Sequence, residues 1–145
     1  MLFRSSIGEG VKEAKASKVP VMAMVQRGGT VRSKVMPTVN GANLRQAIRD
    51  NVKAGAQVHT DGNFSYRALA GEFDHKSIKH GVEEYSRREG ENLVSICGVE
   101  SFFSLLKRGV MGTFHHLSAQ HLPLYLAEFE HRHNFRKSKI GRAHV

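Results

Sequence analysis

The stretch Val19 to Val25 (V-P-V-M-A-M-V) constrains the fold more than any other part of the chain. A short, near-continuous apolar run is the pattern of a strand buried on both faces, whereas a strand with one wet face alternates. Gln26-Arg27-Gly28-Gly29 follows as a turn and Thr30 to Met36 then alternates, so the two runs predict a hairpin with a buried first strand and a half-wet second. A strand buried on both faces needs a layer above it, a layer below it and a partner along each edge. The hairpin supplies one partner. Residues 1–18, polar, mixed in charge and interrupted by Gly8 and Gly10, read as a loop-like arm that does not supply the other. The domain therefore reads as N-terminally truncated, with an exposed apolar sheet edge beside Val21 and Met24 and a tendency to aggregate there.

The covering helices are legible further along. Pro37 stops the second strand, and Asn40 or Asn43 can cap a helix to about Val52 whose core side is Leu44, Ala47, Ile48 and Val52. Ala56 to Gly62 reads as a short strand that delivers Asp61 to a glycine turn, followed by a helix from Asn63 to Gly71 packed through Phe64, Tyr66 and Leu69. Asp74 to His80 is a weaker strand with only Ile78 strongly apolar, and Gly81 to Leu93 is a charged loop. From Cys97 to Arg108, Val99, Phe102, Leu105, Leu106 and Val110 keep helical spacing on one apolar face. Leu122, Tyr125, Leu126 and Phe129 repeat that spacing in a last helix with Pro123 in its first turn. One core is expected from Val21, Met24, Val58, Val99, Phe102, Leu106, Tyr125, Leu126 and Phe129.

At 145 residues, 40% of them hydrophobic, the chain suits one domain with a sizeable core. Its 22 Lys and Arg outnumber 13 acids, and the net charge of +9 suits a polyanionic partner, nucleic acid first, better than an acidic substrate. There is no lipidation signal and no amphipathic helix with a continuous basic face, which argues against a membrane surface. Cys97 is the single cysteine, so no intrachain disulfide forms and a reducing compartment fits. No apolar run approaches the roughly 18 residues of a spanning helix, and no signal-peptide core precedes Val19, so the cytoplasm is the expected location.

Several chemistries are excluded by what is missing. Gly28-Gly29 lacks the Lys-Ser/Thr of a nucleotide-binding loop, no G-x-S-x-G elbow supports serine hydrolysis, and the late histidines match neither H-E-x-x-H nor finger spacing for zinc. His115 and His116 read as loop donors to phosphate or as core-edge packing. Two acids remain. Asp61 ends a strand, where ligand sites gather in open α/β sheets, or else it caps the following helix. Glu100 interrupts an apolar seam and could offer hard oxygen to Mg²⁺, or else it is a helix-boundary residue on a solvated face. Lys107 lies two helical turns beyond Glu100 on the same side, and with Arg108 it could hold a phosphate or simply complement the helix dipole.

The order of these residues carries a resemblance. V-H-T-D-G with a Tyr after it, an E-E-Y spacer, and V-E-S-F-F-S-L-L-K-R-G-x-x-G-x-x-H-H-x-S-x-x-H-L-x-x-Y-L-x-E-F-x-x-R-x-N-x-R resemble the catalytic domain of bacterial insertion-sequence transposases of the DDE type, the ISXO-like group. The resemblance spans roughly Val19 to Arg136. It implies a ribonuclease-H-like mixed sheet flanked by helices, in which three acids hold two Mg²⁺ ions and cut and join double-stranded DNA at transposon ends. Asp61 matches the second acid, Glu100 the third, and Lys107 the basic residue two turns on; the first Asp belongs to an upstream strand that is missing here, since Glu9 and Glu13, the only acids before the hairpin, lie in the arm. The resemblance thus implies an incomplete, inactive fragment, with the alternative of a non-catalytic basic nucleic-acid-binding domain, decayed or recruited. It also implies that the full-length protein assembles as a homo-oligomer on paired ends. Residues 137–145 read as a basic disordered tail, of which Ile140 to Val145 resembles a translated sequencing adaptor.

Overall fold

In the computed structural model, which describes residues 2–7, 19–79, 86–112 and 120–137 (2–7, 68, 111 and 112 by backbone alone), the arm supplies the missing neighbour of the apolar run. Leu2–Ile7 is a strand, β1, and it pairs antiparallel with β2 (Val19–Val25) from Leu2↔Met24 to Ile7↔Val19. The expected loop-like arm is thereby corrected. Its sequence, L-F-R-S-S-I, has too few apolar residues to announce a central strand; the pairing sets its place. β2 pairs on its other side with β3 (Val31–Val35), while β4 (Gln57–Asp61) runs parallel to β1 and β5 (Asp74–Ile78) parallel to β4. The sheet order is β3-β2-β1-β4-β5. No apolar edge is open beside β2: Val21 is fully buried and Met24 nearly so.

The β2 run is apolar throughout because its two faces serve different layers. Val21, Ala23 and Val25 join the side chains of α2 (Cys97–Gly112) and α3 (Leu122–Asn134). Met22 and Met24 face the other way, into a second cluster with Leu44, Ala47 and Ile48 of α1 (Gly41–Asn51), Val58 and Tyr66. The sheet divides what composition alone presents as one core into two: Val21, Val99, Phe102, Leu106 and Leu126 lie on one side, Met24 and Val58 on the other. Tyr125 and Phe129 are half-buried, Phe129 against the first cluster.

Helix ends follow the capping chemistry. Asn40 caps α1, its Oδ1 accepting the Asn43 N–H at 2.7 Å. α2 turns a slightly different stripe inward than its spacing suggests. Phe103 is buried and Leu105 is 50% exposed, so the core stripe is Val99, Phe102, Phe103, Leu106 and Val110. Gly109 lies where a methyl would overlap the Phe129 ring, which lets α2 and α3 approach closely. Much of the charged stretch before α2 is a second, two-stranded sheet, β6 (Ser86–Glu89) and β7 (Asn92–Ser95), turned at Gly90 with φ 64°. Arg87 Nη1 of that hairpin donates to the Ser77 carbonyl at 2.9 Å, tying it to β5.

The outer edge of β3 is closed by two side chains of α3 rather than by another strand. Asn134 Oδ1 accepts the Val31 N–H at 2.6 Å, and its Nδ2 donates to the Val31 carbonyl at 3.0 Å. One turn earlier, the Glu130 carboxylate accepts both the N–H and the hydroxyl of Ser33. An unpaired strand edge is a template for association, and these two residues cap it. Asn134→Ala should lower stability by about 1–3 kcal/mol through the loss of two part-buried hydrogen bonds, and it should raise light scattering on heating. An unchanged urea midpoint and no extra scattering would show that α3 packing alone protects the edge.

Candidate functional site

Alternation along β4 decides where its acid projects. Val58 lies in the α1-side core, so Gln57, His59 and Asp61 turn to the opposite face. The β5 register agrees: Asp61 is level with Ile78, and Ile78 belongs to the core that includes Val99 and Phe102 of α2. A hydrogen bond fixes the relation of β4 to that helix. His59 Nδ1 lies 3.3 Å from both the N–H and the carbonyl oxygen of Ser95, while its Nε2 lies 3.0 Å from Gln57 Oε1; the neutral ring with its proton on Nε2 donates to Gln57 and accepts the Ser95 N–H. Burial holds the His59 pKa below its ordinary value, which favours that neutral form. Immediately after Ser95, the Ile96 carbonyl accepts the Val99 and Glu100 N–H groups and starts α2.

The chain therefore brings the carboxyl end of β4 and the first turn of α2 to one face of the sheet. Asp61 and Glu100 are both half-buried there. Asp61 does not cap the following helix. That role falls to Asn63, whose Oδ1 accepts the Ser65 N–H at 2.9 Å, and Asp61 Oδ1 accepts the Asn63 N–H at 3.3 Å. Glu100 sits in the first turn of a long helix, where the dipole favours a carboxylate. It lines a shallow cleft of about 370 Å³ with Cys97, Ser101, Ser104, Leu105 and Arg108. Glu100, Ser104 and Arg108 are four residues apart and share a helix face. Arg108 therefore stands on Glu100's cleft, while Lys107 is exposed outside it. His115 and His116 lie outside the described residues.

A larger cavity of about 570 Å³ opens at the other end of β4, around Gln57 and the β2–β3 turn, with Arg27, Arg32 and Lys53 in its wall. Its lining reaches His59, two residues or roughly 7 Å along the strand from Asp61 at about 3.3 Å per residue, and does not include either acid. The cleft beside Glu100 is the smaller space, and Asp61 is not among the residues that line it.

The donor set can be tested against a metal centre. Two carboxylates with water and a substrate phosphate fit a single Mg²⁺, but a pair of ions needs a further bridging or flanking acid. Among the described residues no three His, Cys, Asp or Glu side chains gather into a group that could hold a metal ion. The strand beside β4 could carry such an acid and does not. Leu2 pairs with Thr60 in the parallel ladder, so Phe3 lies level with Asp61, and no residue of β1 is acidic. A two-ion centre does not fit the described residues.

Sequence reasoning missed three features of this neighbourhood. The His59–Ser95 link was visible only as a histidine two residues before Asp61. The helix after Asp61 is a 3-10 helix, Phe64–Leu69, and Phe64 is 73% exposed instead of packed. The third is Phe3, hidden in a strand that its own composition disguises. No helix among the described residues is long and apolar enough to cross a membrane.

Compared with known proteins, the chain matches the family described as ISXO2-like transposase domain over residues 3–134, a span that takes in nearly all of β1. It is 36% identical over 105 residues to an uncharacterized transposase-like protein of Haemophilus influenzae, an alignment covering 72% of this chain and 80% of that protein. No solved structure matches.

Proposed function

The chain belongs to the ISXO2-like transposase domain family, and from that premise we propose that its sheet is a ribonuclease-H-like core in which Asp61 and Glu100 are two of the three carboxylates of a DDE centre. Membership supports a role in DNA transposition. The observation that carries the finer reading is the shared face: a strand-end acid and a helix first-turn acid, linked through His59 and Ser95. A divalent ion bound between them, Mg²⁺ in the cell, would neutralise charge on a DNA phosphate. Arg108 on the cleft and the exposed Lys107 would hold neighbouring phosphates, with His115 and His116 as further donors. The partner is double-stranded DNA, met in the cytoplasm, and paired ends would require more than one copy of the protein.

With Phe3 level with Asp61, this chain as it stands binds DNA without cutting it. The same observation favours a second reading, in which the domain serves only as a basic nucleic-acid-binding module. Mn²⁺ titration followed by electron paramagnetic resonance distinguishes the two. On the first reading one Mn²⁺ binds, and Asp61→Asn or Glu100→Gln each weakens it by about tenfold or more, as the loss of even a supporting group around a metal does. Binding that ignores both substitutions would leave only the second reading standing.

A further inference from the structure

The 3-10 helix that follows Asp61 turns an aromatic ring outward next to the acid. In such a helix residues three apart eclipse one another, so Tyr66 and Leu69 form one stripe and Phe64 and Arg67 another. Tyr66 and Leu69 are each 1% exposed and belong to the α1-side core. The inward stripe is thus already filled, and Phe64 is left 73% exposed. Single exposed apolar residues are ordinary, but two facts set this one apart. The Arg67 guanidinium carbon stands 4.5 Å from the ring centroid, a cation–π contact that sets a cation against one face of the ring. The segment leading to it is also pinned, by the Asp61–Asn63 and Asn63–Ser65 hydrogen bonds. Phe64 is therefore an exposed ring with an arginine on one face, three residues past the end of β4, on a chain of charge +9.

We propose that Phe64, backed by Arg67, is a stacking platform for an unpaired DNA base beside Asp61. Every base has a π-face, so an aromatic side chain takes any base without reading its sequence, and a neighbouring arginine adds attraction to the same strand. A duplex end has such a base only when it frays or is opened, which makes the platform a device for gripping an opened end next to the strand end that carries Asp61. This inference rests on the DNA reading above and adds a nucleotide-holding residue to it.

The test compares two DNAs of equal length, one a blunt duplex and one with three unpaired 3′ nucleotides that include 2-aminopurine, by fluorescence anisotropy and 2-aminopurine quenching. The intact chain should prefer the frayed DNA by about tenfold and quench the probe, as one stacked base is able to do. Phe64→Ala should abolish preference and quenching while leaving blunt-duplex affinity unchanged, and Phe64→Trp should restore both. Binding to both DNAs with equal affinity, or a preference that survives Phe64→Ala, would overturn the platform while leaving the DNA reading intact. Failure to bind either DNA would overturn both. Sedimentation showing a dimer that dissociates in Phe64→Ala would assign the ring to contact between copies of the chain and overturn the platform as well.

Discussion

Replacing Phe102 by Ala is expected to destabilise the domain by about 3–5 kcal/mol, a large share of the 5–15 kcal/mol that holds a typical domain folded. The side chain is 1% exposed on the inner face of α2. It meets Phe103 edge-on at a centroid separation of 5.9 Å and His133 of α3 at 5.9 Å, so a single ring joins the helix to itself and to its neighbour. The sheet lies beneath it, and a sheet paired on every strand has little freedom to collapse into the space the ring would vacate. Three residues along the same helix, Leu105 is 50% exposed, and Leu105→Ala should change stability by only about 0.5 kcal/mol or less. Urea midpoints for the two variants measure the difference. Equal losses would mean that α2 is rotated from the orientation described.

That comparison also shows where the sequence could and could not be read. The run F-F-S-L-L in α2 offers two apolar stripes of nearly equal quality, one through Leu105 and one through Phe103, and only the sheet and α3 choose between them. The β2–β3 hairpin was legible because burial on two faces leaves an unbroken apolar run, and α1 because Asn40 supplies a cap with its own chemistry. β1 and the β6–β7 hairpin were not, since strands containing R-S-S and S-R-R-E owe their existence to ladder partners and to ion pairs such as Lys76–Glu89 and not to a hydrophobic period. In the candidate site, an acid at a strand end and an acid inside an apolar seam stand out by themselves. The groups that relate them, His59 with Ser95, and the choice of Arg108 over Lys107 for the cleft, depend on tertiary register. Even the expected absence of a first acid changed its meaning. A strand is present beside β4, and the residue it sets level with Asp61 is Phe3.

A still larger effect is expected from that position. If the sheet is complete and only one carboxylate is missing, no upstream strand needs to be added, because β1 already occupies the place between β2 and β4. Phe3→Asp would set an acid level with Asp61, on the strand beside it, and supply the ligand that a second ion requires. Loss of a single stabilising group in an active site costs about 10²–10³ in rate, so restoring one should give a gain of at least about a hundredfold. The decisive measurement is nicking of supercoiled plasmid in Mn²⁺ by the intact chain, by Phe3→Asp, and by Phe3→Asp combined with Asp61→Asn. The account predicts no nicking above the protein-free control from the intact chain, clear nicking from Phe3→Asp, and none from the double variant. Nicking by the intact chain that disappears in Asp61→Asn would contradict it, as would a folded Phe3→Asp variant that leaves the plasmid untouched.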